Sequence, residues 1–127
     1  MKLSLTSVVV DAADLEGEGL FWHGLLGGTL SRIPTHRFVQ ADGLPVLVVQ
    51  HAPEHTPPHQ PDGSPQQMHI DLATDDLLAA DRRVLEAGGR RLRPADGPTG
   101  ADAEGSRVYA SPAGHPFCIR AVRPATQ

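Results

Sequence analysis

Two β-rich runs, each followed by a helical stretch, give the chain a repeated pattern of apolar and polar positions. The first run leads into a helix entrance at Asp14, and the second, which starts at Met68, leads into one at Asp76. The helical stretches end at the glycine pairs Gly27-Gly28 and Gly88-Gly89, which are separated by almost the same number of residues as the two aspartates. Two landmarks at one spacing predict a duplicated unit of about half the chain.

Each half is predicted to fold as one strand, one helix and three further strands, because β-branched residues favour strands and paired glycines end helices. In the first half, a helix starts at Asp14 and the predicted strands are Lys2–Val10, Thr29–Ile33, His36–Ala41 and Leu44–His51. In the second half, a helix over Leu77–Ala87 is capped by Thr74 or Asp75, and the predicted strands are Met68–Ala73, Arg90–Arg93, Arg107–Ser111 and Pro116–Val122. The fold class is therefore α+β, with two βαβββ modules.

The second predicted helix is amphipathic. Its apolar face is formed by Leu77, Ala80, Val84 and Leu85, and its polar face by Asp81, Arg82, Arg83 and Glu86. This division predicts that the first set packs against a sheet and that the second set is exposed to solvent.

A chain of 127 residues is expected to form a single domain, here over residues 1–127. Module 1 is predicted at about 1–52 and module 2 at about 68–123. The intervening segment, 53–67, is rich in proline and is predicted to be an extended linker.

The net charge of −4 and the pI of about 5.9 give no basic footprint for nucleic acid. No apolar run approaches the roughly 20 residues that a membrane helix needs, and Asp11 and Asp14 interrupt any apolar segment of a signal peptide. The single cysteine, Cys118, excludes an internal disulfide. We therefore expect a cytoplasmic protein that binds neither nucleic acid nor membrane.

The stretch His69-Ile-Asp71, followed by an aspartate pair and a Gly-Gly helix end, resembles the vicinal oxygen chelate superfamily, as does the closing stretch from Val108 to Cys118. This group includes glyoxalase I, extradiol dioxygenases and the bleomycin- and fosfomycin-resistance proteins, and the chain is most similar to its small glyoxalase-like members. The resemblance implies paired βαβββ modules that form a curled mixed sheet around a cleft for a small-molecule ligand. It also implies a homodimer.

The resemblance places the superfamily's metal ligands at Ser7, near Leu47, at His69 and at Cys118. Members that bind a metal normally have His or Gln at the first of these positions and Glu at the last. Only His69 matches, and a divalent cation needs several His, Gln or carboxylate ligands. We therefore predict no metal ligand set and no cofactor.

The candidate site residues follow from the same resemblance and from strand geometry. His69 is the candidate catalytic residue, and Asp71 projects from the same side because the two residues are two apart on a strand. The candidate substrate-binding residues are Ser7, Trp22, Phe38, Gln50, Asp71, Tyr109 and Cys118.

Each assignment has a structural alternative. His69 could anchor the sheet, the aromatic residues could pack in the core, and Cys118 could be a small buried hydrophobic residue, a nucleophile or a soft metal ligand. His51, His55 and His59 have helical spacing, but the prolines among them exclude a helical metal site.

Three functions remain open. The first is a metal-independent glyoxalase-like protein that binds a small molecule or acts on it through His69. The second is a metal-dependent lyase, isomerase or dioxygenase with a rearranged ligand set. The third is a drug-sequestering protein similar to the bleomycin-resistance proteins, which need no catalytic residue.

Overall fold

The computed structural model describes residues 1–58, 68–98 and 105–122. The chain divides into two compact units, unit 1 over Met1–Thr56 and unit 2 over Pro57–Gln127. The division falls within the predicted linker, of which residues 59–67 lie outside the described part.

The ten elements follow the predicted order. Unit 1 contains β1 (Ser7–Ala12), α1 (Leu15–Leu26), β2 (Thr29–Ile33), β3 (His36–Gln40) and β4 (Val46–His51). Unit 2 contains β5 (Ile70–Thr74), α2 (Leu77–Ala87), β6 (Arg90–Arg93), β7 (Gly105–Ala110) and β8 (Pro116–Ala121). The α+β class is confirmed, and so is the duplicated βαβββ unit.

The two sheets have the same topology. The strand order is β1-β4-β3-β2 in unit 1 and β5-β8-β7-β6 in unit 2. In each unit the first and last strands pair in parallel, while the other pairs are antiparallel. The parallel pair is possible because the intervening helix and two strands return the chain to the end of the sheet at which the first strand begins.

The first strand is shorter at its start than predicted. β1 begins at Ser7, and not at Lys2, because its parallel partner β4 begins at Val46, which lies opposite Ser7. Residues 1–6 are exposed.

The two helices begin with equivalent caps. The Asp14 carboxylate accepts a hydrogen bond from the Gly17 amide at 3.0 Å, and the Asp76 carboxylate accepts one from the Ala79 amide at 3.0 Å. The cap of α2 is therefore Asp76, and the predicted Thr74 or Asp75 is wrong. A carboxylate at this position satisfies one of the amide groups that the first helical turn leaves without a partner.

Helix α1 packs on its sheet through a core that contains one buried charged group. Phe21 and Trp22 are essentially inaccessible, and so is Glu18, whose carboxylate accepts a hydrogen bond from the Trp22 indole N–H at 2.9 Å. At the exposed edge, the Glu16 carboxylate pairs with the guanidinium groups of Arg32 and Arg37, both at 2.8 Å. These contacts join α1 to β2 and β3.

Helix α2 buries a residue that its sequence placed on the polar face. Asp81 is 3% exposed, whereas Leu85, expected on the apolar face, is 39% exposed. Asp81 follows Leu77 by one turn and precedes Val84 by three residues, so it lies in the stripe that faces the sheet. Its carboxylate accepts hydrogen bonds from Arg91 on β6, at 2.6 and 3.0 Å, and from the Tyr109 hydroxyl on β7, at 2.8 Å.

Within the described residues, neither α1 nor α2 is long and apolar enough to cross a membrane.

Candidate functional site

One face of the unit 2 sheet packs against α2, and the opposite face points away from this helix. Strand register puts Asp71 opposite Cys118, Cys118 opposite Val108, and Val108 opposite Arg93. Directly paired residues point to the same side of a sheet, and neighbours along a strand point to opposite sides. Because Tyr109 contacts Asp81 of α2, this row lies on the face away from the helix. We call this face, together with the preceding His69, the site face.

The side chains of His69 and Asp71 are in contact at the start of β5. The His69 Nε2 atom lies 3.0 Å from the Asp71 Oδ1 atom, and the side chains are 38% and 67% exposed. The prediction that these two residues share one side of the strand is confirmed. Both groups remain accessible to a ligand, and the carboxylate sets the orientation of the imidazole ring.

Cys118 lies beside this pair and is partly buried. Burial raises the pKa of its thiol, the Asp71 carboxylate raises it further, and the positive charge of Arg93 lowers it. The net direction is upward, so the neutral thiol is favoured at neutral pH. A thiolate nucleophile needs the opposite setting, and the structure therefore favours Cys118 as a neutral polar group of the site face.

The ligand atoms of His69, Asp71 and Cys118 all lie within 4.8 Å of one another. This arrangement offers one nitrogen, one oxygen and one sulfur donor. The sequence did not show that Asp71 lies beside Cys118, because that depends on the pairing of β5 with β8.

Unit 1 has no comparable set of donors at the matching positions. Val9 lies opposite Val48 in the parallel pair of β1 and β4, as Asp71 lies opposite Cys118 in unit 2. Val48 therefore occupies the ligand position that the resemblance placed near Leu47. Leu47 pairs with Val39 and is 4% exposed, which places it on the face toward α1.

Three other candidates in unit 1, Ser7, Phe38 and Gln50, lie on the same face as Val48. Ser7 and Gln50 alternate with the residues that pack on α1, and the Gln50 amide donates a hydrogen bond to the Asp11 carboxylate at 3.4 Å. The half-buried Phe38 lies opposite Val48, and its ring stacks on that of His36 with centroids 5.9 Å apart. These positions are compatible with ligand contact, and their role in binding stays a prediction.

Trp22 and Tyr109 lie in the cores of their own units. Trp22 is 1% exposed and bonds to Glu18, and Tyr109 is 0% exposed and bonds to Asp81. Burial and the hydrogen bond to Asp81 raise the pKa of the Tyr109 hydroxyl. Core packing is therefore the interpretation that the structure favours for both, and we remove them from the proposed ligand contacts.

His51 and His55 do not lie on a helix, as the prolines of this segment predicted. His51 ends β4, His55 lies in a non-helical segment, and His59 is outside the described residues.

The donor set differs from that expected for the superfamily's oxygen-bound metal. Mg²⁺ and similar hard cations prefer several oxygen ligands, and the site face offers one carboxylate. The equivalent positions in unit 1 are Ser7 and Val48, which add no strong ligand. The residues therefore do not fit that cation, although a nitrogen, oxygen and sulfur set suits zinc in its chemistry.

Two of the arginines on the site face, Arg93 and Arg120, were not predicted as site residues from the sequence. Arg93 lies in the row of Cys118, and Arg120 lies two residues beyond Cys118 on β8. The alternation of side chains along β8 could have predicted Arg120 as a site residue, because Arg120 shares a face with Cys118. The face on which Arg93 lies could not be predicted, because the pairing of β6 with β7 has a register shift between Arg91 and Arg93. A sequence pattern does not reveal such a shift.

A family model described as a glyoxalase-like domain matches residues 7–120 of the chain. Among curated proteins, no sequence matches the chain.

Several solved structures share the fold. A glyoxalase/bleomycin resistance protein/dioxygenase family enzyme from Burkholderia phytofirmans PsJN has a TM-score of 0.70 and 14% identity, over 93% of this chain and 98% of that one. An antibiotic binding protein from a Streptomyces species has a TM-score of 0.63 and 22% identity, over 98% and 99%. A fosfomycin resistance protein from Listeria monocytogenes has a TM-score of 0.69 and 13% identity, over 100% and 97%.

These structural similarities establish the fold, and the family model covers almost the whole chain, including His69, Asp71 and Cys118. The chain therefore belongs to the family of glyoxalase-like domains, within the vicinal oxygen chelate superfamily.

Proposed function

We propose that this chain binds a small organic molecule on the site face of unit 2, without a bound metal, and that His69 contacts the ligand. The observation that carries the proposal is the 3.0 Å pairing of His69 Nε2 with Asp71 Oδ1 between two accessible side chains. A histidine that is held by a carboxylate has a fixed ring orientation and a defined tautomer, which suit it to hydrogen bonding or proton transfer.

Asp71 is the central group of this arrangement. It pairs with His69, and it acts on Cys118 through charge and a hydrogen bond that favour the neutral thiol. In the proposed site, His69 is the acid–base or hydrogen-bonding group, Asp71 positions it, and Cys118 lines the surface beside them.

Protein-observed NMR of a fragment library tests the proposal. Fragments that bind should shift the amide signals of His69 to Asp71 and of Cys118, and they should lose affinity in His69→Ala. His51→Ala is the matched control, since His51 is an exposed histidine at the end of β4 in unit 1. Binding that is unchanged in His69→Ala, or hits that shift only other regions, would contradict the role of His69.

A zinc-dependent enzyme is the second candidate, because the donor atoms of His69, Asp71 and Cys118 lie within 4.8 Å of one another. Catalytic zinc sites commonly have three protein ligands and one open position. Zinc held by these residues would supply a Lewis acid. Metal content and the response of Cys118→Ser to added zinc separate this function from the metal-free one.

A purely binding protein is the third candidate, and it is supported by the antibiotic binding protein from a Streptomyces species that shares the fold at 22% identity. If this function is correct, a ligand identified by NMR is recovered unchanged after prolonged incubation with the protein. Turnover that is lost in His69→Ala would favour the enzyme instead.

Two further properties belong to the proposal. Homodimer formation is supported by the family resemblance, and light scattering at micromolar concentration tests it, with a monomeric mass as the contrary result. A cytoplasmic location is supported by the use of a single cysteine, and cell fractionation tests it.

A further inference from the structure

We propose that the ligand carries an anionic group, a carboxylate or a phosphate-type oxyanion, and that Arg93 and Arg120 bind this group. This inference rests on the proposed function, because it concerns the ligand of the same site. Its geometric basis is that both arginines project from the site face that also carries His69, Asp71 and Cys118.

Sheet geometry puts the two guanidinium groups within reach of one ligand. Arg93 is two strands away from Cys118, across Val108, and neighbouring strands are about 4.8 Å apart. Arg120 lies two residues along β8 from Cys118, which corresponds to about 6.8 Å. Long side chains from both positions can converge over Val108 and Cys118, next to His69.

Arg93 also acts electrostatically at this place. Its positive charge lowers the pKa of the Cys118 thiol, against the effects of burial and Asp71. The guanidinium of Arg93 is therefore close enough to interact with the centre of the site face.

The site face is positive in an otherwise acidic protein. Its paired positions carry Arg90, Arg93 and Arg120 against a single carboxylate, Asp71, whereas the whole chain has a net charge of −4. A local excess of positive charge in a negative protein attracts anions and selects against cations.

Four of the other arginines have structural partners within the described residues. Arg32 and Arg37 pair with Glu16, Arg91 pairs with Asp81, and Arg107 donates hydrogen bonds to the carbonyl groups of Pro94 and Asp96. Among the described residues, no ion pair is formed by Arg93 or Arg120, and both are exposed. Their positions therefore suit recognition more than folding.

Arginine is well matched to the proposed group. Its planar guanidinium donates parallel hydrogen bonds to two oxygens of a carboxylate or phosphate. With the anionic group held by the arginines, the remainder of a small ligand lies toward His69 and Asp71.

Isothermal titration calorimetry with three matched probes tests the inference. Benzoate and phenylphosphonate distinguish the two kinds of anion, and benzamide is the neutral counterpart of benzoate. The titrations use the full chain and the variants Arg93→Gln, Arg93→Lys, Arg120→Gln and His69→Ala. Arg83→Gln is the control, because Arg83 is an exposed arginine of α2, away from the site face.

We expect at least one anionic probe to bind and benzamide to bind more weakly. Losing a charge-assisted hydrogen bond should weaken that binding about ten-fold in Arg93→Gln and in Arg120→Gln. Arg93→Lys should retain part of the affinity, and Arg83→Gln should retain all of it. Circular dichroism of each variant confirms that the fold is intact.

The inference is overturned if neither anion binds, if benzamide binds as tightly as benzoate, or if both glutamine variants bind like the unchanged chain. The His69→Ala titration separates this failure from failure of the proposed function. Anion binding that survives in His69→Ala but not in the arginine variants supports the inference and contradicts the role of His69. Fragment binding that depends on His69 but not on the arginines supports the role of His69 and contradicts the inference about the arginines.

Discussion

Asp71 and Cys118 face each other across the parallel pair of β5 and β8, at the position where Val9 faces Val48 in unit 1. The duplicated backbone is thus preserved, while the polar chemistry at this position is confined to unit 2. Because the equivalent position in unit 1 is apolar, the functional hypothesis concerns Asp71, Cys118 and their neighbours in unit 2.

Asp71→Asn should make Cys118 more reactive toward iodoacetamide. Burial and Asp71 both raise the pKa of the thiol, so removing the carboxylate lowers the pH at which the thiolate forms. Because the chain has one cysteine, mass spectrometry of alkylation against pH reports Cys118 alone.

Arg93→Gln is the counterpart in that experiment. Arg93 lowers the pKa of Cys118, so its removal should shift the alkylation profile to higher pH. A shift to higher pH in Asp71→Asn, or to lower pH in Arg93→Gln, is inconsistent with the electrostatics described for the site face.

Asp81→Asn should destabilise unit 2 substantially. The buried carboxylate accepts two hydrogen bonds from Arg91 and one from Tyr109, and removing its charge leaves the Arg91 guanidinium without its counter-ion. The expected loss is about 2–3 kcal/mol in the free energy of unfolding, measured with urea. Tyr109→Phe should lose about 1 kcal/mol.

Glu86→Gln on the same helix is the control for Asp81→Asn, since Glu86 is exposed. Equal stability of the two variants would show that the buried network contributes little.

Glu16→Gln should reduce the pH dependence of stability in acid. Hydrogen bonds from Arg32 and Arg37 lower the pKa of Glu16 from 4.5 to about 2. A folded-state pKa below the unfolded one stabilises the fold above pH 4.5, and this contribution disappears as the pH falls toward 2.

The stability difference between the unchanged chain and Glu16→Gln should therefore be full at neutral pH and shrink between pH 4.5 and 2. Urea unfolding at a series of pH values measures it, with Glu54→Gln as an exposed control in unit 1. A difference that is constant across this range would rule out ionisation of Glu16 as its cause.

The repeat was predictable because its landmarks are local. Asp14 and Asp76 cap helices through their own side chains, and the positive-φ residues Gly27 and Gly88 end them. Such signals involve a few neighbouring residues, so one sequence is enough to show them. That His69 and Asp71 share one side of the chain was predictable for the same reason, because it follows from their spacing of two residues.

The rest of the site depends on contacts between distant strands. The register of β4 put Val48 at the position predicted near Leu47, and the irregular pairing of β6 placed Arg93 near Cys118. The burial of Asp81 depends on partners from β6 and β7 that lie far along the chain. No local pattern specifies these pairings, since a shift of one residue reverses which side chains share a face.

Metal analysis of tag-free protein tests most directly whether His69, Asp71 and Cys118 contact a ligand by themselves or hold a metal. Mass spectrometry should find far less than one zinc per chain, with equal content in the unchanged chain and in His69→Ala. A variant with His51, His55 and His59 all replaced controls for metal bound elsewhere. About one zinc per chain, retained in that triple variant and lost in His69→Ala, would contradict the metal-free site and favour the zinc enzyme.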